Sequence, residues 1–204
     1  MKFLPTTKEE MKNLGWDSID VLLISGDTYL DTSYNGSALV GKWLVEHGFK
    51  VGIIAQPEVD VPDDITRLGE PNLFFAVSGG CVDSMVANYT ATKKRRQQDD
   101  FTPGGVNDKR PDRAVLVYSN MIRRFFKGTT KKIVISGIES SLRRITHYDY
   151  WTNKLRKPIL FDAKADILSY GMGEMSMLQL ANALKNGEDW KNIKGLCYLS
   201  KEMK

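Results

Sequence analysis

Everything else in this chain has to accommodate one short run, Val21-Leu22-Leu23-Ile24, set between Asp20 and Ser25-Gly26. It is continuously apolar rather than alternating, which marks a strand buried on both faces. A polar stretch from Asp27 to Gly36 follows. Then Ala38, Leu39, Trp43, Leu44 and His47 recur at helical spacing, and Gly48 supplies a stop. Lys50-Val51-Gly52-Ile53-Ile54-Ala55 is a second buried strand. Strand, loop, helix, glycine and strand make a βαβ unit, so the two strands should run parallel with a right-handed crossover.

The pattern continues along the chain. Pro62 to Gly69 reads as a short helix with proline and acids at its start. Leu73-Phe74-Phe75-Ala76-Val77 reads as a third strand closed by Ser78-Gly79-Gly80. Residues 91–112 are polar and basic, contain Pro103-Gly104-Gly105, and read as a long surface loop. Asp112 is placed to cap a helix carrying Val115, Leu116, Tyr118, Ser119, Ile122 and Phe126, ended by Gly128. Ile133-Val134-Ile135-Ser136-Gly137 is a fourth strand. Ile159-Leu160-Phe161, Ile167 to Gly171 and Leu196 to Leu199 are further strand candidates, and Met175 to Leu184 is a helix. The expected fold is one α/β domain over residues 1–204, doubly wound, with a mainly parallel sheet and helices on both faces. In such folds ligands bind at the carboxyl ends of the strands, here the loop 26–36, the turn 78–90 and the loop 137–150.

Composition removes several function classes. The two cysteines, Cys81 and Cys197, and two histidines, His47 and His147, are unpaired in spacing. They cannot make a four-ligand structural zinc site, and two thiols cannot hold an iron–sulfur cluster. No apolar run approaches the ~20 residues of a membrane helix, and the start, Met1 to Glu10, lacks a signal core. A cytoplasmic protein is the expectation. The net charge of +4 is uneven: residues 91–132 carry twelve Lys/Arg against four Asp, while residues 1–90 carry six against thirteen acids. A basic middle on an acidic front suits an anionic partner there, or simply a solvated basic loop.

Four segments carry chemistry. Asp31-Thr32-Ser33-Tyr34-Asn35-Gly36 resembles in spacing the Asp-x-His-x-x-Gly loop of cobalamin-binding domains, themselves doubly wound α/β folds. Ser33 stands at the histidine position, which disfavours histidine-ligated cobalamin; an ordinary loop whose acids cap the next helix is the plain alternative. Gly137 to Trp151 runs from a strand into small hydroxyls, two arginines, then His147 and Asp149. Such a turn suits an anion held by backbone N–H groups and arginine, or a structural ion pair. Lys93-Lys94-Arg95-Arg96, between Tyr89 and Phe101, suits nucleic acid. Gly171-Met172-Gly173-Glu174 is a tight turn without the third glycine of a dinucleotide site or the lysine of a P-loop. The candidate ligand-binding residues are therefore Asp27, Asp31, Arg95, Arg96, Glu139, Ser141, Arg143, Arg144, His147, Asp149 and Glu174.

Taken together, these segments resemble one family. They are Phe3 to Met11 with Gly15-Trp16-Asp17, Gly52 to Pro57, Asp83 to Val86, Tyr89-Thr90-Ala91, Lys94-Arg95-Arg96, Tyr118-Ser119-Asn120, Ile122-Arg123-Arg124, Gly137 to Trp151 and Tyr170 to Glu174. The chain is similar, over essentially its whole length, to the N-terminal domain of YgiQ-type radical SAM proteins. The resemblance implies an accessory domain followed by a radical SAM core. There a Cys-x-x-x-Cys-x-x-Cys motif holds a [4Fe–4S] cluster that binds S-adenosylmethionine. That motif does not occur in these residues, so no catalytic residue carries over and the chain is expected to be part of a longer protein.

Three roles compete: positioning a substrate or anionic ligand for the core of the same polypeptide, binding RNA, or holding a cobalamin-like small ligand. A chain left colourless by incubation with cobalamin and gel filtration would count against the third role; the 204-residue chain as purified has one expected outcome. It should purify colourless and iron-free, and an iron–sulfur absorption band in the pure chain would overturn that.

Overall fold

The computed structural model describes residues 3–29 and 36–200. In chain order the elements are α1 (Lys8–Asn13), β1 (Val21–Ser25), α2 (Gly36–Glu46), β2 (Val51–Ala55), α3 (Pro62–Thr66), β3 (Phe74–Ser78) and α4 (Ser84–Asn88). There follow α5 (Ala114–Phe125), β4 (Lys132–Ser136), α6 (Gly137–Leu142), β5 (His147–Asp149), β6 (Lys154–Arg156), α7 (Ile159–Ala163), β7 (Ile167–Ser169), α8 (Glu174–Asn186) and β8 (Leu196–Tyr198). Six strands form one sheet in the order β2-β1-β3-β4-β7-β8. All pair in parallel except β8, which runs antiparallel to β7 at the edge.

The continuous apolar runs are explained by two cores, one on each face. Leu22, Ile24, Phe75, Val77, Ile133 and Ile135 face Met11, Ile65, Tyr118, Ile122, Ile159 and Leu160, from α1, α3, α5 and α7. Val21, Leu23, Ile53, Phe74, Ala76 and Val134 face Ala38, Leu44, Met177 and Leu180, from α2 and α8. Successive residues of one strand thus enter opposite cores, so no position is left for a polar side chain until the strand ends.

Three expectations are corrected. Ile159-Leu160-Phe161 is the start of helix α7, not a strand: Ile159, Leu160 and Ala163 are buried at helical spacing behind Pro158. Three apolar residues are too few to show a period. Asp112 does not cap α5. Arg113 occupies that position in left-handed conformation (φ 54), and Asp112 instead accepts hydrogen bonds from Asn88 and Tyr89. The segment 91–112 is only partly a surface loop. Residues 91–98 are exposed, but Asp99, Thr102, Asn107 and Arg110 are buried, and Gln98 bridges to Val106. The β5–β6 hairpin, α1 and α4 were not foreseen.

The strand ends meet closely. Gly26 N–H donates to the Ser78 carbonyl at 2.9 Å, and a β-carbon on Gly26 would collide with the Gly79 backbone. Because the obstacle is main chain, it has little room to yield. Gly26→Ala should cost about 1–3 kcal/mol of folding stability, the usual range for overpacking, measured by urea unfolding.

Candidate functional site

The strands β1, β3, β4 and β7 each end in serine: Ser25, Ser78, Ser136 and Ser169. Ser25 pairs in register with Ser78, and Ser78 with Ser136. The first three are followed directly by glycine. Small residues side by side leave a depression at the carboxyl edge of the sheet, where the strand order turns at β1 and β3. A cavity of about 450 Å³ occupies it, within the roughly 300–1,000 Å³ of small-molecule sites. Its floor is Ser25, Ala76, Ser78 and Ser136. Its walls come from Tyr29 and Asp27 after β1, Leu39 of α2, Cys81 after β3, Ile138 of α6, and Met172 and Glu174 after β7.

Beneath this cavity lies a buried charge network. Arg110 is wholly buried and forms ion pairs with Asp27 at 2.7 Å and Asp99 at 3.2 Å. Its Nη1 also donates to the Gly79 carbonyl at 2.8 Å. The second oxygen of Asp27 accepts the Cys81 N–H at 2.6 Å. Gly80 adopts a left-handed conformation (φ 112), and any β-carbon there would strike Asp27 and Arg110. Burial, and then the Asp27 carboxylate, push the Cys81 thiol up to about 12, so Cys81 is a neutral wall rather than a nucleophile.

A second network joins three helix starts. The buried Glu139 carboxylate accepts N–H bonds from Ser84 at 3.1 Å and Val115 at 3.3 Å. Ser84 Oγ accepts the Ala114 N–H at 3.0 Å. Arg143 binds Asp83 and donates to the Glu139 carbonyl. Burial raises the Glu139 pKa, with Asp83 adding to the effect.

The sequence candidates therefore separate. Asp27 and Glu174 line the cavity. Ser141 and Arg144 stand at its rim, where Ser141 Oγ accepts the Gly171 N–H at 3.4 Å and Arg144 packs on the Tyr170 ring. Glu139 and Arg143 are structural partners. Asp149 accepts from Arg113 at 2.8 Å and from Thr152. His147 Nδ1 lies 3.1 Å from the Ile145 carbonyl. Those two side chains are engaged separately and form no acid–base pair. Arg95 and Arg96 lie away from the cavity; Arg95 meets Tyr89 and Asp112, and Arg96 donates to the Val86 and Tyr89 carbonyls. Asp31 and Ser33 lie outside the described residues. Arg110 and the serine row went unrecognised, although Ser-Gly closing three strands was visible in the sequence.

Among the described residues, no three His, Cys, Asp or Glu side chains are grouped to hold a metal ion. Cys81 and Cys197 are both free, and an iron–sulfur cluster does not fit this donor set. Nor, among the described residues, is any helix long and apolar enough to cross a membrane.

Residues 3–204 match the family model described as radical SAM N-terminal. A UPF0313 protein of Fusobacterium nucleatum is 99% identical over 204 residues, all of this chain and 36% of that protein. A UPF0313 protein of Thermotoga petrophila is 55% identical over 203 residues, 98% of this chain and 35% of its own length. The chain thus spans about a third of the curated relatives it matches. Among solved structures, the radical S-adenosylmethionine methyltransferase TsrM from Kitasatospora setae, with cobalamin and a [4Fe-4S] cluster bound, has a similar fold. The TM-score is 0.58 at 17% identity, covering 90% of this chain and 28% of that one.

Asp149 offers a test of the electrostatics. Burial opposes its charge, but hydrogen bonds from Arg113 and Thr152 outweigh that and hold its pKa at about 2. A lowered carboxylate pKa adds stability that is complete above the unfolded value near 3.8 and is lost as pH falls through about 2. Urea unfolding of Asp149→Asn should show a deficit of order 1–2 kcal/mol at neutral pH that shrinks across this acidic window.

Proposed function

The chain belongs to the radical SAM N-terminal family, and we propose that within it this domain holds a small molecule at the carboxyl edge of its sheet and presents it to the radical SAM core of the same polypeptide. The observation that carries this reading is the cavity over Ser25, Ser78 and Ser136. Three registered strand ends expose hydroxyls and backbone rather than bulk, so a ligand can approach the main chain closely and meet hydrogen-bonding groups.

The chemistry of the walls narrows the ligand. Asp27 and Glu174 line the cavity, and no lysine or arginine does among the described residues. Asp27 already has Arg110 as its partner. This supports a neutral or positively charged ligand with an apolar face, rather than the anion that the charge distribution suggested. The methyltransferase of similar fold carries cobalamin; here Ser33 replaces the loop histidine, which disfavours histidine-ligated cobalamin. The RNA reading draws less support, because Arg95 and Arg96 are occupied by carbonyls and Asp112. The cluster and S-adenosylmethionine of the family belong, on this reading, to the core.

The test uses the full-length protein. Native mass spectrometry, as purified and after incubation with hydroxocobalamin followed by desalting, should show a retained small molecule. Ser136→Leu, which fills the cavity floor, should lower retention at least about ten-fold, a loss of roughly 1.4 kcal/mol or more, without moving the thermal unfolding midpoint. Retention of nothing by the wild type, or equal retention by the variant, would refute the reading.

A further inference from the structure

Two carboxylates line the cavity, and they are not equivalent. Asp27 is 4% exposed, with one oxygen on Arg110 at 2.7 Å and the other accepting the Cys81 N–H at 2.6 Å. Its charge is matched inside the protein. Glu174 opens α8 in the wall beyond β7, and its side chain has no hydrogen bond or ion pair among the described residues. Arg144, at the rim, donates to the Ser141 carbonyl and lies on the Tyr170 ring. The serines divide in the same way. Ser25 Oγ accepts the Asp27 N–H at 3.1 Å and Ser78 Oγ the Gly80 N–H at 3.2 Å, whereas the Ser136 hydroxyl has no partner among the described residues. Ser136 ends β4, and β7, which leads to Glu174, is the neighbouring strand. Glu174 and Ser136 thus stand unmatched on one side of the cavity, while Leu39 and Val40 of α2 and Met177 of α8 supply apolar surface. The first turn of a helix favours a carboxylate. That accounts for a glutamate at this position, but not for its place in a cavity wall.

We propose that the ligand of this cavity carries a protonated amine on an apolar body, and that Glu174 is the residue that selects it. The proposal rests on the cavity being a small-molecule site, and it narrows the ligand from neutral or cationic to cationic. The reason is desolvation. Any ligand that fills the cavity takes water from the half-buried Glu174, and a carboxylate removed from water without a partner is costly. A neutral ligand leaves that cost standing. An ammonium group offsets it with a charge-assisted hydrogen bond, and the Ser136 hydroxyl offers it a second acceptor. An anion meets like charge. A bare metal ion does not suit the site, because among the described residues no three His, Cys, Asp or Glu side chains are grouped to hold one.

Three probes with one apolar body and different heads test it in the full-length protein. They are 2-phenylethylamine, 2-phenylethanol and 3-phenylpropionate, titrated at neutral pH by ligand-observed NMR. The amine should bind about five-fold more tightly than the alcohol, the upper range for a partly exposed ion pair, and the propionate most weakly. Glu174→Gln should bring the amine down to the alcohol and leave the alcohol unchanged. Ser136→Leu should weaken all three. Equal binding of amine and alcohol by the wild type, or an amine preference that survives Glu174→Gln, would overturn the selection by charge; a loss of binding in Ser136→Leu would then still uphold the cavity as the site. No binding of any probe, or binding indifferent to Ser136→Leu, would overturn both. A lowered thermal midpoint in Glu174→Gln with the amine preference intact would assign Glu174 to the helix dipole alone, and would equally overturn the proposal.

Discussion

The Arg110 guanidinium is the interaction on which the carboxyl edge of this domain depends. It is buried without residue of exposure, between Asp27 on the first strand loop and Asp99 on the long insertion, with the Gly79 carbonyl as a third acceptor. Phe101 packs against its face. A buried charge in such a network is tolerable only because each partner is satisfied; removing one typically costs about 3–5 kcal/mol, since the others are left charged in a poor solvent. The glycines at 79 and 80 follow from it. They let the main chain after β3 pass close enough for Arg110 to reach both the carbonyl and the carboxylate.

That network also determines what the cavity offers. By neutralising Asp27 from below, Arg110 leaves a floor of hydroxyls and backbone with little net charge. On the neighbouring side the Glu139 carboxylate ties the starts of α4, α5 and α6 together by accepting two backbone N–H groups. The charged residues of the Gly137–Trp151 block are therefore mostly scaffold. The cavity itself is lined instead by small, neutral positions that a search for charged motifs passes over.

The parallel core was legible because burial on both faces demands unbroken apolar runs, and β1, β2, β3 and β4 have them. Helices α2, α5 and α8 were legible from spacing and terminal glycines. Ile159-Leu160-Phe161 was not, since three residues cannot separate a period of two from one of 3.6. The β5–β6 hairpin escaped because its six residues, His147–Asp149 and Lys154–Arg156, are mostly polar. Arg110 escaped because one cation among the twelve of residues 91–132 looks like the rest. Nothing local distinguishes it; its partners are 83 and 11 residues away in sequence.

The amino-acid sequence by itself determined the doubly wound α/β class, the parallel strand pairs, the lack of a cluster-binding thiolate set and the family resemblance. Each depends on short-range patterning or on counting residues. Only the tertiary structure decided which charges are buried partners and which face solvent, that Ser25, Ser78 and Ser136 stand side by side, and that a cavity opens above them. Those are consequences of strand register and of contacts between residues far apart in the chain, and no window along the sequence contains both ends of such a contact.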